Sequence, residues 1–152
     1  MNMANLLSGQ NRKWKARPSA DEAKIADLVK QSQISLPAEY LELLRATNGG
    51  EGELALPPLW LQLYSVEECI ELIHDPSMKD CLEVPQSSDG PASPDFFVFA
   101  GNGGLESIAF DLRNGPPFPV VMIDPIAGPE SAEQIAPDIA TFIEAIGIEA
   151  GR

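Results

Sequence analysis

The segment from Leu36 to Gly50 constrains the fold most, because it reads as a helix with a defined start and a defined end. Pro37 suits the first helical turn, where its missing N–H is not needed and its fixed φ matches the helix. Asn48-Gly49-Gly50 ends the helix, because Asn and Gly tolerate the left-handed backbone that this position requires. Between them, apolar side chains recur at helical spacing: Tyr40, Leu43 and Leu44. The segment therefore predicts a helix that builds core and then turns the chain into a sheet.

Three further helices are predicted from caps followed by apolar periodicity. Ser19 and Glu22 have the spacing of a capping box and open a helix over residues 20–31. Ser65 and Glu68 repeat that spacing and open a helix that Pro76 limits. Asp138 caps a last helix, which Gly147 ends.

Five strands are predicted between these helices. They cover residues 53–56, 59–64, 96–100, 105–112 and 119–124. In the second of them Leu59, Leu61 and Leu63 alternate with polar or aromatic residues, which predicts one fully aliphatic face. Residues 75–95 are rich in Pro, Ser, Asp and Gly and predict a long surface loop. Residues 131–137 are expected to be irregular or a short helix.

Helices do not alternate strictly with strands, so a parallel doubly wound sheet is not expected. The order favours an α+β fold, with an antiparallel or mixed sheet and flanking helices. A chain of 152 residues fits one domain. We expect a basic flexible tail over 1–18, the domain over 19–147 and a C-terminal tail over 148–152.

Charge is the most unusual bulk property, with a net value of −13. Four of the ten basic residues lie within the first 17 positions, which leaves six basic against 23 acidic residues in the rest of the chain. Such a surface repels nucleic acid and acidic membranes, and it attracts a basic partner. The alternative is that the acidic surface only keeps the protein soluble.

The cellular compartment is predicted from the sequence signals that the chain lacks. No apolar run approaches the roughly 20 residues that span a bilayer, and residues 1–17 lack the apolar stretch of a signal peptide. Cys69 and Cys81 have no metal or redox spacing, so we expect two free thiols in a reducing compartment. These features favour a cytoplasmic protein.

Motifs for catalysis, metals or cofactors are weak. Gly101-Asn102-Gly103-Gly104 is followed by Leu105-Glu106-Ser107 rather than by Lys and Ser or Thr, so we interpret it as a hairpin turn and not a phosphate loop. His74 is the only histidine and has no metal-ligand spacing to a Cys. Asp111 and Asp124 on neighbouring predicted strands leave a functional carboxylate pair open as an alternative. We expect no catalytic residue, no metal and no cofactor.

Candidate contacts for a protein partner are instead acidic and aromatic. Glu67, Glu68 and Glu71 cluster at the start of a helix, where they either form a docking patch or compensate the helix dipole. Trp60, with Tyr64 and Pro57-Pro58, forms either an exposed apolar strip or ordinary core. The candidate binding residues are Glu51, Glu53, Trp60, Glu67, Glu68 and Glu71.

A family resemblance joins these elements. Leu36-Pro37-Ala38-Glu39-Tyr40-Leu41, followed by Asn48-Gly49-Gly50, resembles the LP-x-x-Y…NGG pattern of the SMI1/KNR4 superfamily, also called SUKH. Later segments resemble that family's landmarks in the same order over about residues 19–147. These are Leu63-Tyr64-Ser65-Val66-Glu67-Glu68, Phe97-Val98-Phe99-Ala100-Gly101-Asn102-Gly103-Gly104, Ile108-Ala109-Phe110-Asp111, Val120-Val121 and Thr141-Phe142-Ile143-Glu144-Ala145-Ile146.

The resemblance implies an α+β fold with about six strands and a protein-binding role without catalytic residues. Many bacterial members of the family look like immunity proteins that neutralise toxins, often nucleases, and fungal members act as regulatory scaffolds. The first hypothesis is therefore an immunity protein that binds a cognate toxin directly. The alternatives are a scaffold for a non-toxin partner and, less favoured, a small hydrolase or nucleotide-binding enzyme using His74, Asp111 and Asp124.

Overall fold

The computed structural model describes residues 13–32, 34–57, 59–74, 96–104, 106–113, 117–124 and 126–148. The helices in these ranges are α1 (Glu22–Ser32), α2 (Ala38–Ala46), α3 (Val66–Ile73) and α4 (Ile139–Ala145). The strands are β1 (Trp14–Ala16), β2 (Gly50–Glu53), β3 (Trp60–Leu63), β4 (Phe96–Gly101), β5 (Ser107–Asp111), β6 (Val120–Ile123) and β7 (Glu133–Ala136). A short 3-10 helix spans Pro129–Ser131. The predicted loop over 75–95, with Cys81, lies outside the described residues.

The strands form one antiparallel sheet in which each strand pairs with its neighbours in sequence, from β1 to β7. This confirms the predicted α+β class and sheet. The described residues give seven strands, where the sequence pattern predicted five and the family resemblance implied about six.

One extra strand is β1, which falls inside the expected basic tail. It pairs with β2 because Gly50 and Gly52 leave room for it. A Cβ added to Gly52 would lie 2.2 Å from the Lys13 carbonyl oxygen, and one added to Gly50 would lie 2.8 Å from the Trp14 ring. The rest of the expected tail, residues 1–12, lies outside the described residues.

The other extra strand is β7, where the sequence predicted irregular structure or a short helix. That prediction is wrong for Glu133–Ala136, which pairs with β6. The sequence signal is weak because the strand lies at the sheet edge and only Ala136 is buried. Pairing with β6 determines that this segment is a strand, because its own sequence shows no alternation of apolar and polar residues.

Helix starts agree with the predicted caps in two cases out of three. The capping box of α3 forms, since Ser65 Oγ accepts from the Glu68 backbone N–H and Glu68 accepts from the Ser65 backbone N–H. Asp138 caps α4. The box predicted at Ser19 does not form: Asp21 accepts from the Lys24 backbone N–H at 2.8 Å, and Glu22 bonds Arg45 at 2.6 Å instead. Asp21 lies closer than Ser19 to the first helical residue, and its carboxylate is a stronger acceptor than the Ser19 hydroxyl.

The main core lies between the helices and one face of the sheet. Tyr40 of α2 makes edge contacts with Phe99 and Phe110, at ring distances of 5.3 and 5.4 Å. Its hydroxyl lies 3.4 Å from the Cys69 sulfur, and burial raises the pKa of that thiol to about 12. Cys69 therefore acts as a small core residue and is a free thiol, as expected.

The opposite face of the sheet differs along its length. Across β4, β5 and β6 it carries a second apolar cluster of Phe96, Val98, Ala109, Val121 and Ile123. Across β1, β2 and β3 it is polar and exposed. This polar third of the sheet, beside the start of α3, holds the candidate surface.

Candidate protein-binding surface

The Asn48–Gly50 turn fixes how the candidate surface is assembled. Asn48 Oδ1 accepts from the Val66 backbone N–H at 2.8 Å, and its Nδ2 donates to Glu67 at 3.1 Å. Gly49 has a φ of +90°, and a Cβ there would meet the Leu63 carbonyl oxygen at 3.0 Å. The turn therefore ties the end of α2 to the start of α3 and leads directly into β2.

The predicted acidic cluster on α3 is largely engaged within the chain. Glu67 accepts from Lys24 Nζ at 2.9 Å. This bond, with the one from Asn48, lowers the pKa of Glu67 to about 2. Glu68 completes the capping box and lies 3.4 Å from Arg17 Nη1. Glu71 is exposed and has no ion pair within the described residues. Glu67 and Glu68 thus build structure as well as surface charge.

Glu51, Glu53 and Trp60 come together on the polar face of the sheet. Glu51 is the cross-strand partner of Gln62, and Glu53 is the partner of Trp60. Directly opposed residues of antiparallel strands share a face, and so do residues two positions apart. The strands therefore place two carboxylates beside one indole.

Leu59, next to Trp60 in the chain, is also exposed, although the sequence predicted it for the aliphatic face. Leu61 and Leu63 are buried as expected, but Leu59 is 53% exposed and Trp60 is 40% exposed. The alternation fails because β3 begins only at Trp60, and Leu59 has a φ of +76°. Its N–H donates to the Leu56 carbonyl at 2.7 Å, which closes a tight loop. A large side chain with positive φ is rare, and such strain concentrates at functional positions.

We call the residues Glu51, Glu53, Leu59 and Trp60 the acidic-aromatic patch. Glu51, Glu53 and Trp60 share one face of the sheet, and Leu59 is the exposed apolar residue next to Trp60 in the chain. Interfaces commonly combine an aromatic anchor with a charged rim.

Basic residues of the N-terminal segment border this patch, and the sequence reading missed them because it expected a flexible tail there. Lys15 is the cross-strand partner of Glu51, the Lys13 carbonyl accepts from the Glu53 N–H at 3.1 Å, and Arg17 reaches Glu68. The alternation of basic residues at positions 13, 15 and 17 was the available signal for a strand.

The Gly101–Gly104 segment is the hairpin turn that was predicted. Gly103 has a φ of +78°, and Asn102 Oδ1 accepts from the Gly104 N–H at 2.8 Å. It joins β4 to β5 and does not open a helix.

The residues of the enzyme alternative lie apart. Asp111 is next to Pro119, at one end of the β5–β6 pair, while Ile123, just before Asp124, pairs with Ser107 at the other end. Arg113 binds Asp111 at 2.9 Å and lowers its pKa, and Asp124 accepts from the Ile126 N–H. The carboxylate pair therefore does not form.

His74 and the acidic groups give no alternative centre within the part of the chain that the structure describes. His74 Nε2 lies 2.9 Å from Gln31 Oε1 on the surface. In those same residues, no cluster of three or more His, Cys, Asp or Glu side chains could hold a metal ion. No helix there is both long and apolar enough to cross a membrane.

A cleft of about 470 Å³ opens between the N-terminal ends of α2 and α4. Apolar residues dominate the lining described for it, with Glu39 and Asp138 as its acids. Asp138 is already engaged as the cap of α4. The cleft therefore offers shape without a reactive group among its described lining residues.

Comparison with known proteins identifies a family. The sequence pattern described as SMI1 / KNR4 family (SUKH-1) matches residues 19–145, which is most of the chain. No curated protein matches the chain. Strand β1 precedes the matched residues.

Proposed function

Because this chain belongs to the SMI1 / KNR4 family (SUKH-1), we propose that it is a non-enzymatic protein-binding module. Its role in this proposal is that of an immunity protein, which neutralises a cognate bacterial toxin by direct binding. It acts in the cytoplasm, where a toxin that has entered the cell meets its target.

The acidic-aromatic patch is the observation that carries the proposal. Trp60 and Leu59 are exposed although large apolar side chains favour burial, and Glu51 and Glu53 lie on β2, the strand that pairs with the strand of Trp60. The β2–β3 ladder holds this group on a rigid element, so little side-chain order has to be gained on binding. An exposed tryptophan on such a platform is typical of an interface anchor.

Charge identifies the kind of partner. The net charge of −13 favours a basic protein, because complementary potentials accelerate encounter and select against acidic competitors. A toxin that cleaves nucleic acid carries a basic substrate path. Carboxylates such as Glu51, Glu53 and Glu71 would occupy that path in place of phosphates, and Trp60 would anchor the complex.

The direct test is co-expression and affinity capture with the product of a neighbouring toxin gene. We expect the wild-type chain to protect the cell and to form a stable complex. Trp60→Ala and the double change Glu51→Lys with Glu53→Lys should each weaken the complex by at least about tenfold, which is the effect of losing one interface hot spot.

Matched controls lie away from the patch. Ile126→Ala removes another exposed apolar side chain, which is 83% exposed, and Glu130→Lys reverses an exposed charge in the 3-10 helix beside β6. Both controls should bind as the wild type does. Failure of the wild-type chain to bind or protect would overturn the immunity role, and stable capture of a non-toxin partner would favour the scaffold alternative.

A further inference from the structure

The N-terminal strand β1 presents basic residues to the acidic side of the molecule in a regular pattern. Positions 13, 15 and 17 alternate, so their side chains project from the same side of an extended segment. Their neighbours across the strand are Glu53, Glu51 and, beyond the strand end, Glu68. The register therefore sets each basic residue against an acidic one.

The residue between the first two basic positions packs in the opposite direction. Trp14 lies against the main core and crosses the backbone of Gly50 and Gly52. Within the described residues its indole Nε1 is buried without a hydrogen-bond partner. An unpaired buried donor opposes burial, so Trp14 is a less favourable anchor than its size implies.

Strand β1 is held by its pairing with β2, by Trp14 on the core, and by two backbone donors at its ends: Lys13 N–H to the Gly147 carbonyl at 2.6 Å and Arg17 N–H to Thr47 Oγ1 at 3.1 Å. It has three residues, lies at the edge of the sheet and precedes the residues that match the family. The Arg17–Glu68 pair beyond its end is about half exposed, and exposed ion pairs contribute little to stability. Short edge elements open locally at much lower cost than the centre of a sheet.

We propose that the edge of β2 is a strand-docking site, which β1 fills in the free protein. In the complex, an extended basic segment of the partner replaces β1 on this edge. The partner segment carries basic residues at alternate positions with a large apolar residue between them, as residues 13–17 do. Its main chain pairs with β2, and its basic side chains meet Glu51, Glu53 and Glu68. Strand addition of this kind draws affinity from the main chain and specificity from alternate side chains. This inference rests on the proposed binding of a basic protein.

The opening of β1 can be measured on the full chain without a partner. The Glu53 amide donates to the Lys13 carbonyl, so its hydrogen exchange reports the β1–β2 pairing. We expect Glu53 to exchange much faster than Ala109 in the buried β5 strand. Lys15→Glu places like charges opposite each other and should accelerate Glu53 exchange about two- to fivefold. Exchange of Glu53 only at the rate of global unfolding would overturn the inference.

A labelled peptide with the sequence of residues 12–18 serves as the docking probe. We expect saturable binding to the full chain by fluorescence anisotropy, and binding about two- to fivefold tighter to Lys15→Glu, whose own strand is loosened. A peptide with the same composition in scrambled order, and one with its three alternating basic positions changed to Glu, should not compete. Equal binding of the scrambled peptide would show charge attraction alone and would reject strand docking.

A cross-strand disulfide between Lys15→Cys and Glu51→Cys, made in a Cys81→Ser background, locks β1 in place. Directly opposed residues meet the distance that a disulfide requires. The oxidised form should bind no peptide, and the reduced form of the same variant should bind it. Binding that survives the lock, or a dimer that exchanges β1 between two copies, would contradict the proposal.

The lock also separates this inference from the proposed function. If the oxidised variant captures the toxin as well as the reduced one, strand exchange is wrong and the immunity role stands. If the wild-type chain captures no toxin while the peptide still exchanges, the immunity role fails and the docking site stands.

Discussion

The side-chain carbonyl of Asn48 accepts a hydrogen bond from the backbone N–H of Val66, at 2.8 Å. Val66 is the first residue of α3, so its N–H has no partner inside the helix. Ser65 satisfies the N–H of Glu68, and Asn48 satisfies that of Val66 from 18 residues away in sequence. α2 itself ends at Ala46 with Thr47 as an extended C-cap, and the Asn-Gly-Gly turn that follows it is thus a second cap for α3.

Replacing Asn48 should destabilise the protein through α3. Asn48→Ala leaves the Val66 N–H without its acceptor and should lower the free energy of unfolding by about 1–2 kcal/mol, as for loss of a helix cap. Asn48→Asp keeps the acceptor but sets a carboxylate near Glu67. The loss of stability in this variant should therefore be smaller at pH 3 than at pH 7. Urea denaturation at both pH values measures this. Equal stability of Asn48→Ala and wild type would contradict the capping role.

Glu67 should make stability depend on acid pH. Its pKa is about 2 in the folded chain, below the ordinary 4.5, because Lys24 and Asn48 donate to the carboxylate. The stabilisation is present above the ordinary pKa and is lost as the pH falls towards 2. Since the side chain is half exposed, the loss is small.

The measurement is a comparison of urea midpoints at pH 5 and pH 3. Wild type should lose more stability than Glu67→Gln over this interval, and 1 M NaCl should narrow the difference by screening. A carboxyl titration of Glu67 by NMR with an ordinary pKa would contradict the Lys24 and Asn48 contacts.

Local sequence signals predicted the parts of the fold that depend on neighbouring residues. The Ser65 capping box, the Asp138 cap and the apolar run of β4 appear where the sequence placed them. Each depends on contacts within a few residues or on full burial. The family landmarks added the order of the elements but no binding surface.

The errors arose where distant residues decide the structure. β1 forms because glycines some 36 positions away accept it, and β7 because β6 offers an edge. Leu59 does not lie on the aliphatic face that was predicted for it, because its backbone adopts a positive φ in the loop before β3. The ion pairs of Glu67 with Lys24 and of Glu68 with Arg17 were not predicted, because these partners lie 43 and 51 residues away. A single sequence shows charge but not which charges are already paired.

Gly52 should be required for β1 to dock. A Cβ in Gly52→Ala would lie 2.2 Å from the Lys13 carbonyl oxygen, and backbone must move to relieve the clash. We expect a loss of about 1–3 kcal/mol, as for overpacking. In a Trp60→Phe background, Trp14 emission should also shift to longer wavelength as β1 detaches.

Gly104→Ala is the matched control. Among the described residues outside its chain neighbours, its added Cβ would meet only the Asn102 side chain, at 3.4 Å, and its φ is not in the left-handed region. This variant should keep the wild-type emission and lose little stability. Unchanged Trp14 emission in Gly52→Ala would show that β1 tolerates the added Cβ. Gly52 would then not be required for β1 to pair with β2.

Leu59 should show a conflict between stability and binding. Its φ of +76° costs a non-glycine residue about 1–2 kcal/mol, and glycine avoids that cost. Leu59→Gly should therefore be about 1 kcal/mol more stable than Leu59→Ala, because both lose the same exposed side chain and only glycine relieves the backbone. Both should weaken the toxin complex to a similar degree, since both remove the apolar neighbour of Trp60. Thermal unfolding of the two variants measures the backbone strain, and affinity capture of the same two variants measures the contribution of Leu59 to binding. If the alanine variant were as stable as the glycine variant, the loop would hold no strain, and if both kept full affinity, Leu59 would lie outside the interface.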